Sequence, residues 1–211
     1  MQNHLQISIE IDNLINMKYI QTFEDFIITE SASGKRVCIF PGRFQPFHLG
    51  HIAALQRASN EFGVPVIPIQ ILSKSDKSPF PDHLLEKMGK AVAKEFSFIE
   101  NYYLYPSNLK TVIPQMVKFI RDTDGYEAIG MGCGSDRVKA YEPQVKYINS
   151  EKTDVHVIQP FELKMVDVRL ADGPSGTKVR EAIIAGNKEE FEKLTPKSIH
   201  DFYNDLKKYL D

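Results

Sequence analysis

From Lys35 onward, short apolar runs alternate with segments whose apolar residues recur at helical spacing. The run RVCIF at 36–40 is continuously apolar and ends at Pro41-Gly42, which is typical of a strand buried in a parallel sheet. Such alternation predicts right-handed crossovers and helices on both faces of the sheet, and therefore an α/β domain with a doubly wound parallel sheet. The predicted strands are 36–40, 64–72, 99–105, 126–132 and 154–160, with weaker alternation at 161–170, and the predicted helices are 50–62, 82–97, 110–122, 175–186, 188–194 and 196–210.

The length of the chain limits the number of its cores. A folded chain of this size buries about 70% of its surface, which suffices for one good core. Residues 1–34 differ from the rest, because a short amphipathic pattern is followed by the flexible run SASGK at 31–35. We predict an N-terminal extension (1–34), one α/β domain (35–186) and C-terminal helices (187–211) that pack on that domain.

The charge and cysteine content exclude several classes of protein. Lys and Arg (26) nearly balance Asp and Glu (28), so no overall field attracts nucleic acid or an acidic membrane. No apolar run reaches the roughly 18 residues that a spanning helix needs. Cys38 and Cys133 lie far apart in no metal or redox spacing, and the N-terminus has no secretory pattern. We expect a cytoplasmic protein with buried free thiols, whose phosphate affinity is local.

The segment PGRFQPFHLGH at 41–51 joins the first predicted strand to the first predicted helix. His48 and His51 are three residues apart and so share one face of the opening helical turn. The unpaired N–H groups at a helix start favour a phosphate, and imidazoles there donate further hydrogen bonds. Gly50 permits close approach of a ligand, and Arg43 adds a fork of charged donors. The alternatives are a metal site, for which the segment offers no third ligand, and ordinary loop histidines.

Two later loops carry similar chemistry. PSGTKVREAI at 174–183 opens a predicted helix, in which Ser175 and Thr177 offer hydroxyls beside free N–H groups and Arg180 lies about one turn further on. GCGSDRV at 132–138 follows a predicted strand and brings Asp136 and Arg137 to the same edge of the sheet. The alternatives are a routine capped helix for the first loop and a polar turn with an internal ion pair for the second.

GRFQPFHLGH resembles the HxGH motif of the nucleotidylyltransferase superfamily, in the spelling of the archaeal-type nicotinamide-mononucleotide adenylyltransferases. SGT at 175–177 is similar to the superfamily's second phosphate motif, which many members spell SST, and GCGSDRV resembles its base and ribose loop. The resemblance implies a Rossmann-like fold over roughly 35–185. It also implies catalytic roles for His48, His51 and Arg180, and substrate contacts from Gly42, Arg43, Phe44, Gln45, Gly50, Gly132, Gly134, Asp136, Arg137, Ser175, Gly176 and Thr177.

The implied reaction transfers a nucleotidyl group from ATP, accompanied by Mg²⁺ as a counter-ion without a protein metal cage, to a phosphorylated acceptor. Nicotinamide mononucleotide is the expected acceptor, giving NAD and pyrophosphate. The chain has no tryptophan for stacking the nicotinamide ring, so Tyr102, Tyr103, Tyr105 or Phe80 would replace it. One alternative is a cytidylyltransferase, although LADGPSGT departs from the RTEGIST-like segment of that subfamily. The other is a non-enzymatic nucleotide-binding protein of a phage head. The resemblance leaves homo-oligomerisation open.

MKYIQTFEDFIITE at 17–30 is similar to the head-targeting peptides of T-even phage internal proteins, which are cut after an Ile/Leu-x-Glu triplet. Ile28-Thr29-Glu30 followed by Ser31 fits that triplet. The hypothesis is a cleaved targeting segment, and the alternative is a helix on the outside of the domain.

Overall fold

The computed structural model describes residues 34–72, 78–106, 112–157, 159–166 and 173–210. Five parallel strands form one sheet in the order β3-β2-β1-β4-β5. β2 and β3 therefore lie on one side of β1, and β4 and β5 lie on its other side. The strands are β1 (Arg36–Gly42), β2 (Val66–Leu72), β3 (Tyr103–Pro106), β4 (Glu127–Cys133) and β5 (Glu162–Met165). The helices are α1 (Leu49–Phe62), α2 (Asp82–Glu95), α3 (Val112–Asp124), α4 (Val138–Ile148), α5 (Gly176–Ile184), α6 (Lys188–Leu194), a 3₁₀ helix (Lys197–Phe202) and α7 (Tyr203–Lys207).

The sheet separates two cores, because side chains alternate between its faces along each strand. In β1, Cys38 and Phe40 face the core that contains α1, α2 and the C-terminal helices, whereas Val37 and Ile39 face the core that contains α3 and α4. Helices on both faces confirm the predicted doubly wound α/β fold. The order of the strands leaves a crevice at the carboxyl ends of β1 and β4, where ligands of such sheets bind.

Glycines in β4 let α1 pack close to the sheet. A Cβ atom on Gly132 would lie 3.0 Å from Ala58 Cβ and 3.0 Å from Phe40 Cδ2, and one on Gly130 would overlap Cε1 of the Phe62 ring. The side of Gly132 that faces α1 is therefore filled by protein side chains. The substrate contact predicted for Gly132 stays a prediction.

The predicted strand at 154–160 is wrong, since its described residues form a loop and the fifth strand is Glu162–Met165. Side chains, and not a neighbouring strand, form hydrogen bonds with backbone groups in and directly after this loop. Asn149 accepts from the Phe161 N–H (2.7 Å) and donates to the Phe161 carbonyl (2.8 Å), and Arg121 donates to the His156 carbonyl (3.3 Å). Val155 is buried, which explains the apolar alternation without a strand.

Helix α4 has no counterpart among the predicted helices, and it contains Pro143 in its interior. Proline removes a backbone donor and is disfavoured inside helices, so α4 forms against that local preference. The segment predicted as one helix at 196–210 is a 3₁₀ helix followed by the short α7. The predicted strand at 99–105 pairs regularly only from Tyr103, with a single bridge at Ile99.

By its internal contacts the chain divides into Met1–Lys35 and Arg36–Asp211. The predicted extension, including the Ile28-Thr29-Glu30 triplet, lies outside the described residues except at its last position. Among the helices of the described residues, none has both the length and the apolar character to cross a membrane. Cys38 and Cys133 are buried free thiols, as expected, and burial raises the pKa of Cys133 to about 11.

Candidate active site

The loop between β1 and α1 brings two imidazole rings together at a helix start. His48 is the N-cap of α1, with an extended backbone (φ −139°, ψ 165°), and its Nδ1 accepts a hydrogen bond from the His51 N–H at 3.3 Å. The two rings stack with their centroids 3.6 Å apart. A capping side chain satisfies one of the free N–H groups of the first turn and thereby holds its own ring in place.

Two stacked phenyl rings contact the His51 ring. Phe44 and Phe47 stack in parallel with centroids 4.4 Å apart, and His51 meets both edge-on at 5.0 and 5.9 Å. Phe44 also lies against Gly42, where a Cβ atom would come within 2.7 Å of its ring. Both phenyl rings are 1% exposed. The Phe44 ring therefore belongs to the core and contacts the site from inside, and the substrate contact predicted for Phe44 stays a prediction.

Both histidines are neutral hydrogen-bond donors at pH 7. Burial lowers the pKa of His48 to about 4, and burial followed by the nearby His48 lowers the pKa of His51 well below its ordinary value. Because Nδ1 of His48 accepts a hydrogen bond, the proton of the neutral ring lies on Nε2. Nδ1 of His51 is buried and has no hydrogen-bond partner in the described structure. A proton there would be an orphaned donor, so the Nε2–H form is favoured for His51 also.

The second helix start lies beside the first. Ser175 caps α5 by accepting from the Lys178 N–H at 3.2 Å. A Cβ atom on Gly50 would be 3.0 Å from the Pro174 carbonyl oxygen, and one on Gly176 would be 3.3 Å from the Gln45 carbonyl oxygen. These two close approaches need residues without side chains, and they place the beginnings of α1 and α5 against each other. Two sets of free N–H groups therefore meet in one place.

Arg180 joins the two helix starts. Its Nη1 donates to the Gln45 carbonyl at 2.8 Å, and its Nη2 donates to Thr177 Oγ1 at 3.4 Å. Burial lowers the pKa of Arg180, Glu181 raises it, and Arg43 lowers it again. Arginine keeps its charge under such shifts, so Arg180 and the exposed Arg43 supply positive charge beside the histidines. The arrangement suits a polyanion.

The third loop follows β4 at the same edge of the sheet. The Arg137 N–H donates to the Gly134 carbonyl at 2.9 Å, and the side chains of Asp136 and Arg137 form an exposed ion pair with Nε and Oδ2 3.6 Å apart. This is the polar turn with an internal ion pair that the sequence left as an alternative. An exposed ion pair of this kind contributes little to stability and can rearrange around a ligand.

One residue of the site, Gln70, was not predicted from the sequence. Gln70 is completely buried in β2, and its Oε1 accepts from the Phe44 N–H at 3.0 Å. The Gln45 side chain is also buried, and its Oε1 accepts from the Phe80 N–H at 3.3 Å, while its substrate contact stays a prediction. The signal for Gln70 was a lone amide within an apolar parallel strand, where a polar side chain needs a partner.

Among the described residues, no group of three or more His, Cys, Asp or Glu side chains could hold a metal ion.

The sequence profile of the cytidylyltransferase-like family matches residues 39–182. The chain is similar to the nicotinamide-nucleotide adenylyltransferases of Pyrococcus horikoshii (28% identity over 177 residues, covering 80% of this chain and 83% of the relative) and Methanococcus maripaludis (26% over 161 residues, 75% and 82%). Its fold is similar to that of Plasmodium falciparum nicotinic acid mononucleotide adenylyltransferase complexed with NaAD, with a TM-score of 0.53, 16% identity and coverage of 83% of this chain and 98% of that chain. Because the match spans β1 to α5 and includes both helix starts, this chain belongs to the cytidylyltransferase-like family.

Proposed function

We propose that this protein transfers the adenylyl group of MgATP to the phosphate of nicotinamide mononucleotide, giving NAD and pyrophosphate. The observation that carries the proposal is the hydrogen bond from Arg180, in the helix that Ser175 caps, to the Gln45 carbonyl in the loop that carries the two neutral imidazole donors. The archaeal relatives named above support ATP and nicotinamide mononucleotide as the substrates. The buried free thiols support a cytoplasmic location.

The reaction needs positioning and charge stabilisation more than proton transfer. The acceptor phosphate is largely ionised at neutral pH and attacks the α-phosphorus of ATP in line. A new oxygen–phosphorus bond forms as the bond to the β-phosphate bridging oxygen breaks, and pyrophosphate leaves with that electron pair. Histidines with depressed pKa values suit this chemistry, because no general base is required.

Each side of the site has a distinct role in this proposal. The Nε2–H groups of His48 and His51 donate to α-phosphate oxygens, on which charge develops as the bonds exchange. Arg180, Ser175 and Thr177 hold the β- and γ-phosphates and stabilise the departing pyrophosphate. Arg43 bridges the triphosphate and the acceptor. Mg²⁺ enters as part of the substrate, held by phosphate oxygens and water.

Among the four aromatic residues proposed for the acceptor, Phe80 is tied to the catalytic loop, because its backbone N–H donates to Gln45 Oε1 at 3.3 Å. The Phe80 and Tyr102 rings are buried in the same core as Phe44, whereas Tyr105 packs in the core on the other face of the sheet and Tyr103 packs against that core.

The test measures pyrophosphate release and NAD formation with MgATP and nicotinamide mononucleotide. Pyrophosphate release from CTP with phosphorylated alcohols is measured for comparison. We expect NAD with the first pair alone. CTP dependence would support a cytidylyltransferase instead, and no release with any pair would support a binding protein without activity.

His51→Ala should lower kcat by ~10²-fold or more with a modest change in KM for MgATP, because its donor acts mainly on charge that develops during transfer. His156→Ala is the matched control, since that side chain is exposed on the loop before β5. Equal turnover in the two variants would contradict the role assigned to His51.

A further inference from the structure

Gln70 is a polar residue in a place that ordinarily carries an apolar one. It lies in β2, paired in register with Gly42 at the end of β1, and it is 0% exposed. Placing an amide in such an interior is costly unless both of its ends find partners. Its Nε2 donates to the Ile71 carbonyl at 3.1 Å, which directs Oε1 toward the loop after β1.

The partner of Oε1 is the backbone of the catalytic loop. At Gly42 the chain leaves the sheet, so the N–H of buried Phe44 has no strand to bond with and would be orphaned without an acceptor. Gln70 supplies that acceptor at 3.0 Å. One side chain from the neighbouring strand thus fixes where the loop turns.

Phe44 transmits this constraint to His51. The His51 ring is held by packing, because its Nδ1 has no hydrogen-bond partner in the described structure. It contacts His48 on one face and the two phenyl rings at its edge, of which Phe44 is the nearer at 5.0 Å. A shift of Phe44 would therefore turn or displace the His51 ring.

We propose that Gln70 is a positioning residue for adenylyl transfer, acting through the Phe44 backbone on the orientation of His51. The inference rests on the proposed function for its kinetic consequence, whereas the positioning itself can be observed without any substrate. Displacements of about 1 Å in a catalytic group can cost up to 10²-fold in rate. We expect a loss of kcat larger than any change in KM.

Gln70→Met keeps the size of the side chain and removes the amide. We expect kcat for NAD formation to fall by ~10-fold or more, with KM for MgATP changed less than about threefold. The matched control is Thr195→Val, which removes a buried hydroxyl that donates to the Phe191 carbonyl at 2.8 Å in the C-terminal helices. That variant should lose thermal stability and keep its kcat.

Gln70→Glu tests the positioning role through the pH dependence of kcat, which a residue that only stabilises the fold would not change. A protonated carboxyl reproduces both hydrogen bonds of the amide, whereas a carboxylate cannot donate to the Ile71 carbonyl. Burial raises the pKa of such a carboxyl, so the ratio of variant to wild-type kcat should rise as the pH falls from 8 to 6. A flat ratio, or a Gln70→Met variant that loses stability while keeping kcat, would overturn the proposal.

The side-chain ¹⁵N and ¹H resonances of His51, recorded on the full chain without substrate, separate the two proposals. They should shift in Gln70→Met and stay unchanged in Thr195→Val, even where Gln70→Met is less stable. Wild-type protein that makes no NAD while these resonances shift would refute the proposed function and leave the positioning intact. Resonances that do not move would refute the positioning.

Discussion

At the scale of single residues, the site depends on keeping two imidazoles neutral. His48 is buried, caps α1 and stacks on His51, so a proton added to either ring would bring an unpaired charge into the core. Neutral rings with fixed Nε2–H groups donate hydrogen bonds without competing for the protons of the acceptor. The same burial makes the fold sensitive to acid.

We predict that stability is lost as the pH falls from about 6.5 to about 4. The pKa of His48 is lowered to about 4 in the folded protein, whereas the unfolded chain binds that proton near 6.5. The unfolded state therefore gains protons first, and the loss from His48 amounts to about 3 kcal/mol at the end of this range. Urea unfolding at pH 7.5 and at about pH 4 measures this loss.

His48→Asn is the control for that measurement. Asparagine also caps helices, so the variant keeps the start of α1 and removes one titrating group. Its unfolding free energy should vary less with pH than that of the wild type. The same pH dependence in both proteins would show that His48 is not the group responsible.

At the scale of elements, the distance between α1 and β4 decides where the histidines lie. The face of β4 toward α1 is made of glycines, whereas the opposite face carries the buried Met131 and Cys133. Large side chains on both faces would hold α1 away from the sheet, and the beginning of α1 would move with it. These glycines are therefore part of the construction of the site.

Gly130→Ala should destabilise the protein more than Gly132→Ala. A Cβ atom on Gly130 would be 2.7 Å from the Glu162 carbonyl oxygen, which is backbone and cannot move aside, whereas the nearest atoms at Gly132 belong to side chains at 3.0 Å. We expect a loss of about 2–3 kcal/mol for the first variant and a smaller loss for the second. Urea unfolding of both variants compares them directly, and an equal loss would contradict this account of the packing.

At the scale of the whole molecule, the described residues from β1 to α5 contain both helix starts of the candidate site. Both helix starts, both arginines and the family match lie between residues 39 and 182. The C-terminal helices pack into the same core as α1 and α2 through Phe191, Ile199 and Leu206. Residues 1–34 remain a predicted extension, with the cleavage after Glu30 as a hypothesis.

A chain shortened to residues 34–211 should therefore fold and keep its activity. We expect a melting temperature close to that of the full chain and a kcat within about twofold, because every group assigned to the reaction stays in place. Thermal unfolding and NAD formation measure the two quantities on the two proteins side by side. A shortened chain that melts much earlier would show that the first residues contribute to the core.

Much of the site was predictable because its parts are contiguous in the chain. The hydrogen bonds that cap the two helices, from the His51 N–H to His48 and from the Lys178 N–H to Ser175, each join residues three apart. A short stretch of neighbouring residues therefore specifies each helix start. The apolar runs likewise predicted four of the five strands to within a few residues. The predicted strand at 154–160 is replaced by a loop with side-chain hydrogen bonds at its end, and α4, which was not predicted, contains a proline against the local preference.

The sequence by itself determined the type of fold and the chemistry of each loop, because hydrophobic periodicity and helix capping act between neighbouring residues. Only the tertiary structure decided that Arg180 bonds to Gln45, 135 residues away, and that Gln70 serves Phe44. It also decided that the Phe44 ring supports the site from within the core. Those outcomes depend on the order of the strands and on how closely α1 and α5 pack, and such long-range packing leaves no local pattern in the sequence.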